Sequence, residues 1–205
     1  IGFFDTSKVP IIGLVENMAG YLCPHCGELS DPFGSGRAEA AAAELGIPFM
    51  VATGRPVRWL DVLDQLAEAH SQVIVSNGAA VFDLATREVV RSFPLDAVVA
   101  LAVADSLRAV IPGITFGFES GTGFGCEPTS PSRQRGAPGV LEGRLEDLVE
   151  PLGPVIKLLC FHTDLDSDEL SARAVAAVGD RLTLTHALVG DAYGMLELTA
   201  PGVTK

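Results

Sequence analysis

Two short apolar runs, residues 47–52 and 73–75, each end in a loop of small polar residues and glycine: Thr53-Gly54-Arg55-Pro56 and Ser76-Asn77-Gly78-Ala79. Between them, residues 56–70 carry Trp59, Leu60, Leu63 and Leu66 at helical spacing. Strands joined through a helix pair in parallel, because a parallel pair cannot be closed by a tight hairpin. The pattern therefore predicts a βαβ unit of a parallel sheet with helices on its faces. Both polar loops then lie at the carboxyl ends of their strands, where such sheets gather ligands.

Upstream, the Ala-rich residues 37–45 predict a helix closed by Gly46, and residues 9–15 predict a buried strand. A polar stretch with Cys23-Pro24-His25-Cys26-Gly27 lies between them and ends in the punctuation Asp31-Pro32-Phe33-Gly34-Ser35-Gly36. Downstream the texture changes to α+β. A hairpin over 80–93 turns near Ala85-Thr86, followed by a helix over 95–110 and a strand over 114–119. The Gly-, Pro- and Ser-rich residues 120–143 read as a loop. A strand over 155–161, a helix over 167–178 and strands over 182–186 and 195–198 complete an antiparallel sheet with two helices on one face. Trp59 and its leucine stripe are expected in the core.

Composition narrows the function. The chain is 48% hydrophobic and 20% charged with a net charge of -12, a globular rather than disordered balance. Without clustered Lys and Arg there is no nucleic-acid groove, so any phosphate binding must be local. No apolar run reaches the roughly 18 residues that cross a bilayer, and nothing reads as a secretion signal. Four cysteines are too few for a disulfide scaffold, so a cytoplasmic location with reduced thiols is expected.

The ordered set Val51-Ala52-Thr53-Gly54-Arg55-Pro56, Ser76-Asn77-Gly78-Ala79 and the closing Leu196-Glu197-Leu198-Thr199-Ala200-Pro201-Gly202-Val203-Thr204-Lys205 resembles Cof-type phosphatases of the haloacid dehalogenase (HAD) superfamily. The resemblance spans about 37–205. It implies an α/β fold, a partial Rossmann-like parallel sheet of HAD type with an α+β cap domain. It also implies hydrolysis of small phosphorylated metabolites with Mg²⁺. Thr53 would donate its hydroxyl to the transferring phosphoryl group and Lys205 would neutralise its charge, the two catalytic residues. Gly54, Arg55, Asn77 and Gly78 would shape the substrate-binding mouth. The family's Asp-x-Asp motif has only Phe4-Asp5-Thr6-Ser7 as its counterpart, with Ser7 where the acid/base Asp belongs, and the later Mg²⁺-binding Asp would fall beyond Lys205. Catalysis is therefore expected to be incomplete.

Residues 9–20 (Val-Pro-Ile-Ile-Gly-Leu-Val-Glu-Asn-Met-Ala-Gly), with Cys23-Pro24-His25-Cys26-Gly27, Phe33-Gly34 and Leu45-Gly46-Ile47-Pro48-Phe49, resemble the Mrp/ApbC-type P-loop ATPases that carry iron–sulfur clusters. The resemblance implies an iron–sulfur cluster, or zinc, held by Cys23 and Cys26 and shared across a dimer. The Gly-Lys-Ser/Thr phosphate loop is absent, so nucleotide binding is not implied.

The two patterns meet at residues 46–49. The expected organisation is a partial α/β core over 1–79, its first 49 residues Mrp/ApbC-like, an α+β cap over 80–195, and a return to the core over 196–205. The expected partner is a small phosphorylated metabolite, with no nucleic acid and no membrane, and a homodimer through the CxxC segment or open sheet edges. The alternatives to the phosphatase are an iron–sulfur carrier segment and a non-catalytic α/β protein. Cys126, Cys160, His162 and His186 read as packing or surface residues, and Asp164, Asp166 and Asp168 as acids at a helix amino terminus.

Overall fold

The computed structural model describes residues 6–8, 21–22, 29–30, 37–47, 49–61, 63, 72–187 and 193–204. The chain divides into two compact units, Ile1–Met50 and Val51–Lys205. In the first, β1 (Tyr21–Leu22) and β2 (Leu29–Ser30) pair antiparallel, and α1 (Arg37–Leu45) follows. That helix has the bounds its Ala-rich sequence predicts. Gly46 ends it with φ of 64°, a left-handed position that glycine occupies without strain. The strand expected over 9–15 lies outside the described residues.

The second unit holds two sheets. The smaller has the order β3 (Val51–Ala52), β4 (Gln72–Val75), β5 (Ala80–Asp83), β6 (Glu88–Ser92). Strands β3 and β4 are parallel, as the βαβ pattern requires, and β5 and β6 form the expected antiparallel hairpin. The expected strand over 47–52 forms only at Val51–Ala52. Of the helix expected over 56–70, Val57–Trp59 forms a 3₁₀ turn, and most of the remainder lies outside the described residues. In a 3₁₀ turn residues i and i+3 eclipse, so Val57 and Leu60 enter the core together and Trp59 turns outward. Trp59 is 47% exposed, which corrects its expected place in the core.

The larger sheet has the order β11-β12-β10-β7-β8-β9. Its strands are β7 (Thr115–Ser120), β8 (Phe124–Cys126), β9 (Leu141–Glu142), β10 (Val155–His162), β11 (Thr183–His186) and β12 (Gly194–Thr199). All pairs are antiparallel except β8 with β9. Two helices, α2 (Ala97–Val110) and α4 (Ser167–Val178), pack on one face. The short α3 (Val149–Leu152) precedes β10. Asp96 and Asp166 cap the long helices, each accepting backbone N–H bonds through its carboxylate. The loop expected over 120–143 contains β8 and β9. Their short runs hide among Gly and Pro because the sheet, not local propensity, selects them.

Central β10 is buried at all eight positions, including Lys157. Its even-numbered Leu158 and Cys160 face the helices beside Phe116, Phe118, Leu196 and Leu198. Leu159 and Phe161 face the other way, with Phe124, Cys126, Tyr193 and Met195. A register shift between Val155 and Lys157 re-aims Ile156, which packs among Val57, Leu60, Val73 and Val75 in the core of the smaller sheet.

Candidate functional site

The polar loops at the ends of β3 and β4 come together as the parallel pattern predicts. The Thr53 N–H donates to the Ile74 carbonyl at 2.8 Å, carrying the pairing one residue beyond β3. The Ser76 N–H then donates to the Arg55 carbonyl at 3.0 Å and the Asn77 N–H to the Thr53 carbonyl at 3.3 Å. Thr53 Oγ1 accepts from the Arg55 N–H at 3.2 Å, which leaves its hydroxyl proton to donate elsewhere. A Cβ at Gly54 would stand 2.6 Å from Asn77 Oδ1, so a larger residue there would displace this amide.

The larger sheet meets these loops with charge. Ser76 Oγ donates to Glu119 Oε1 at 2.6 Å, and Asn77 Nδ2 donates to Glu197 Oε2. Lys157 Nζ donates to Glu197 Oε1 at 3.0 Å and to the Gly54 carbonyl at 3.3 Å, and lies 3.9 Å from Glu119 Oε1. Arg58 binds Glu119 Oε2 through its terminal nitrogen at 3.3 Å and Gln134 Oε1 through Nε at 2.7 Å. Its guanidinium also lies over the Phe124 and Trp59 rings. Burial pulls the Arg58 pKa below the ordinary arginine value, and the Glu119 carboxylate opposes that shift. Among the described residues, every buried side-chain nitrogen and oxygen has a partner.

Of the residues expected from sequence, Thr53, Gly54, Asn77 and Gly78 are brought together here. Arg55 contributes backbone groups while the residue as a whole is exposed. Lys205, Cys23, Cys26 and Asp5 lie outside the described residues. Sequence reasoning missed Arg58, Glu119, Lys157 and Glu197. The available signal was a charge inside an apolar strand: Lys157 within Val155–His162, and Glu197 between Leu196 and Leu198. In an alternating strand such a residue faces opposite its apolar neighbours.

The donors that are present do not suit Mg²⁺. The oxygens of Glu119 and Glu197 are engaged by Lys157, Arg58, Ser76 and Asn77. Among the described residues no group of three His, Cys, Asp or Glu side chains could hold a metal. Cys126 and Cys160 are buried free thiols and belong to no such group. Burial raises both pKa values, Cys126 to about 11, and so keeps the thiols protonated.

Comparison with known proteins finds two kinds of similarity, one in sequence at the amino terminus and one in fold over most of the chain. The ParA family model, described as NUBPL iron-transfer P-loop NTPase, matches residues 1–91. A cytosolic Fe-S cluster assembly factor NUBP2 homolog from Nematostella vectensis is 46% identical over 50 residues, covering 24% of this chain and 18% of that protein. Among solved structures, the HAD subclass IIB sugar phosphatase superposes with a TM-score of 0.55 at 18% identity, over 80% of this chain and 61% of that one. A haloacid dehalogenase-like hydrolase from Bacteroides thetaiotaomicron gives 0.55 at 17%, over 80% and 62%. The chain thus spans under a fifth of the iron–sulfur relative and about three fifths of each hydrolase. The match to the solved structures establishes an α/β fold of HAD type, and the sequence match places iron–sulfur carrier similarity at the amino terminus. No helix among the described residues is long and apolar enough to cross a membrane.

Proposed function

We propose, on an α/β fold of HAD type joined to an iron–sulfur-carrier-like amino-terminal segment, that residues 51–205 form part of a Cof-type phosphatase for small phosphorylated metabolites. The larger sheet with α2 and α4 would serve as its cap. The observation that carries this reading is the placement of Thr53 at the carboxyl end of β3, backed by the Ser76-Asn77-Gly78 loop of the parallel neighbour β4. Phosphoryl transfer relies on positioned donors and positive charge around the spreading oxygens. Thr53 would supply a hydroxyl and Lys205 a charge, while Gly54, Arg55, Asn77 and Gly78 would line the mouth.

Mg²⁺ would supply Lewis-acid neutralisation of the phosphate in such an enzyme, but the carboxylates described near Thr53 are bound to cations and do not fit it. The reading is therefore of a catalytically incomplete site. The test is release of an aryl alcohol from a generic aryl phosphate in Mg²⁺ buffer by the 205-residue chain. The expected rate equals that of Thr53→Ala, and turnover above that control would overturn the incompleteness. Inorganic phosphate weakly protecting the chain against unfolding, with the effect lost in Thr53→Ala, supports the retained phosphate site. Equal protection of both proteins argues against it.

A second reading is favoured by the match at residues 1–91. Cys23 and Cys26 would hold an iron–sulfur cluster as cargo, or zinc, with a second copy of the chain completing the ligand set, since two thiolates satisfy only half of a four-coordinate site. Iron and zinc analysis of purified protein against a Cys23→Ser/Cys26→Ser variant tests it. Equal metal content in the two would eliminate the site.

A further inference from the structure

Ser76, Asn77 and Gly78 have successive φ values of 53°, 58° and 93°. Only the third is glycine. In the left-handed region a Cβ crowds the following carbonyl, so two side-chain-bearing residues in a row are disfavoured there. Such a conformation persists only where its surroundings over-determine it. Here the two strained side chains both leave the loop for the larger sheet, and they reach different strands. Ser76 Oγ meets Glu119 on β7, and Asn77 Nδ2 meets Glu197 on β12. Between those strands lies β10, whose Lys157 is within 4 Å of both carboxylates and returns to Gly54, the residue packed against the Asn77 amide.

We propose that Glu119 and Glu197 are positioning residues that form a two-point latch. They hold the left-handed loop after β4 against the larger sheet, and Lys157 is the shared counter-charge that joins the two points. The two sheets of this unit therefore part only when both points release together. The latch stands on geometry alone and holds whether or not the loop serves phosphoryl transfer. An amide is a poor substitute at the Glu197 point. Both Glu197 oxygens accept from nitrogen donors, so glutamine would present a donor to a donor at one of them and drop the charge facing Lys157, whereas the Ser76 hydroxyl could turn to accept from an amide at position 119.

Amide hydrogen exchange on the full chain tests this, read at Ser76, Asn77 and Ala79, whose N–H groups are bonded to Arg55, Thr53 and Ser76. The α4 amides serve as the internal reference. Glu197→Gln and Ser76→Ala are each expected to speed loop exchange by about tenfold or more while α4 keeps its wild-type rates, the signature of local rather than global opening. Unchanged loop rates would overturn the latch, and so would an equal rise in loop and α4. Ser76→Ala removes a single hydroxyl, and so keeps the test alive if Glu197→Gln does not fold. The double variant Ser76→Ala/Glu119→Ala is expected to exchange no faster than Glu119→Ala alone, because both break the same contact. Additive acceleration would refute that point. Asn77→Gly relieves strain and also deletes the amide. Faster loop exchange supports the Glu197 point, and slower exchange than wild type refutes it.

Discussion

The two faces of the six-stranded sheet solve different problems with the same strands. Toward α2 and α4, Phe118, Leu158, Leu198 and Leu184 form a row in register across β7, β10, β12 and β11. Such a row is held by burial and shape, and tolerates exchange among apolar residues of similar volume. On the opposite face, Glu119 stands directly across from Lys157, with Glu197 diagonal to it. That row is satisfied only when the Ser76 and Asn77 side chains, the Gly54 carbonyl and Arg58 arrive from the loops and turn that follow β3 and β4. The apolar face stabilises, whereas the charged face also specifies one relative placement of the two sheets, because a half-satisfied polar network is worse than none.

The sharpest way to break this contrast is Lys157→Met, which fits the strand but leaves the buried Glu119 and part-buried Glu197 carboxylates short of their ammonium. A loss of about 3–5 kcal/mol in urea unfolding is expected, and a loss under about 1 kcal/mol would reduce the charged row to ordinary packing. Next comes Leu158→Ala, one residue along and on the other face, with an expected cost of about 2–4 kcal/mol from transfer and cavity. Unlike Lys157→Met, it should leave Ser76–Ala79 exchange unaltered relative to α4. Asp96→Ala and Asp166→Ala, remote from both rows, should each cost about 1 kcal/mol of thermal stability through lost caps. A separate effect, confined to alkaline pH, is a pH dependence from Cys126. Its pKa is raised from 9.0 to about 11, so the folded thiol stays protonated while the unfolded one ionises. The unfolded state then binds fewer protons, and stability falls from about pH 9 toward pH 11. Cys126→Ala should flatten that decline, and an unchanged slope would assign it to other groups.

Much of this architecture was legible in the chain. The β3–β4 parallel pair, the β5–β6 hairpin and the bounds of α1 and α4 follow from period, glycine and capping, all local signals. The meeting of Thr53, Gly54, Asn77 and Gly78 was legible too, since consecutive parallel strands align their carboxyl ends. What misled was also local. Trp59 sits in an apolar stripe that reads as α-helix, yet the described turn is 3₁₀ and rotates it outward. Strands β8 and β9 have too few residues to outweigh the glycines and prolines around them; β8 exists because β7 offers an edge, and β9 because β8 then offers the next.

By itself the sequence determined which residues alternate, where strands end in glycine loops, and that Lys157 and Glu197 interrupt apolar runs. It did not contain the pairing of those charges. Glu119, Lys157 and Glu197 are far apart along the chain, and only β7, β10 and β12 lying side by side makes them neighbours. Whether a buried charge is a defect or a joint depends on what faces it, and these three face one another and the loops that follow β3 and β4. Tertiary structure decided that a loop legible as a candidate site is held in a strained conformation from outside itself. Strain needs an external partner to persist, and no local pattern can name one.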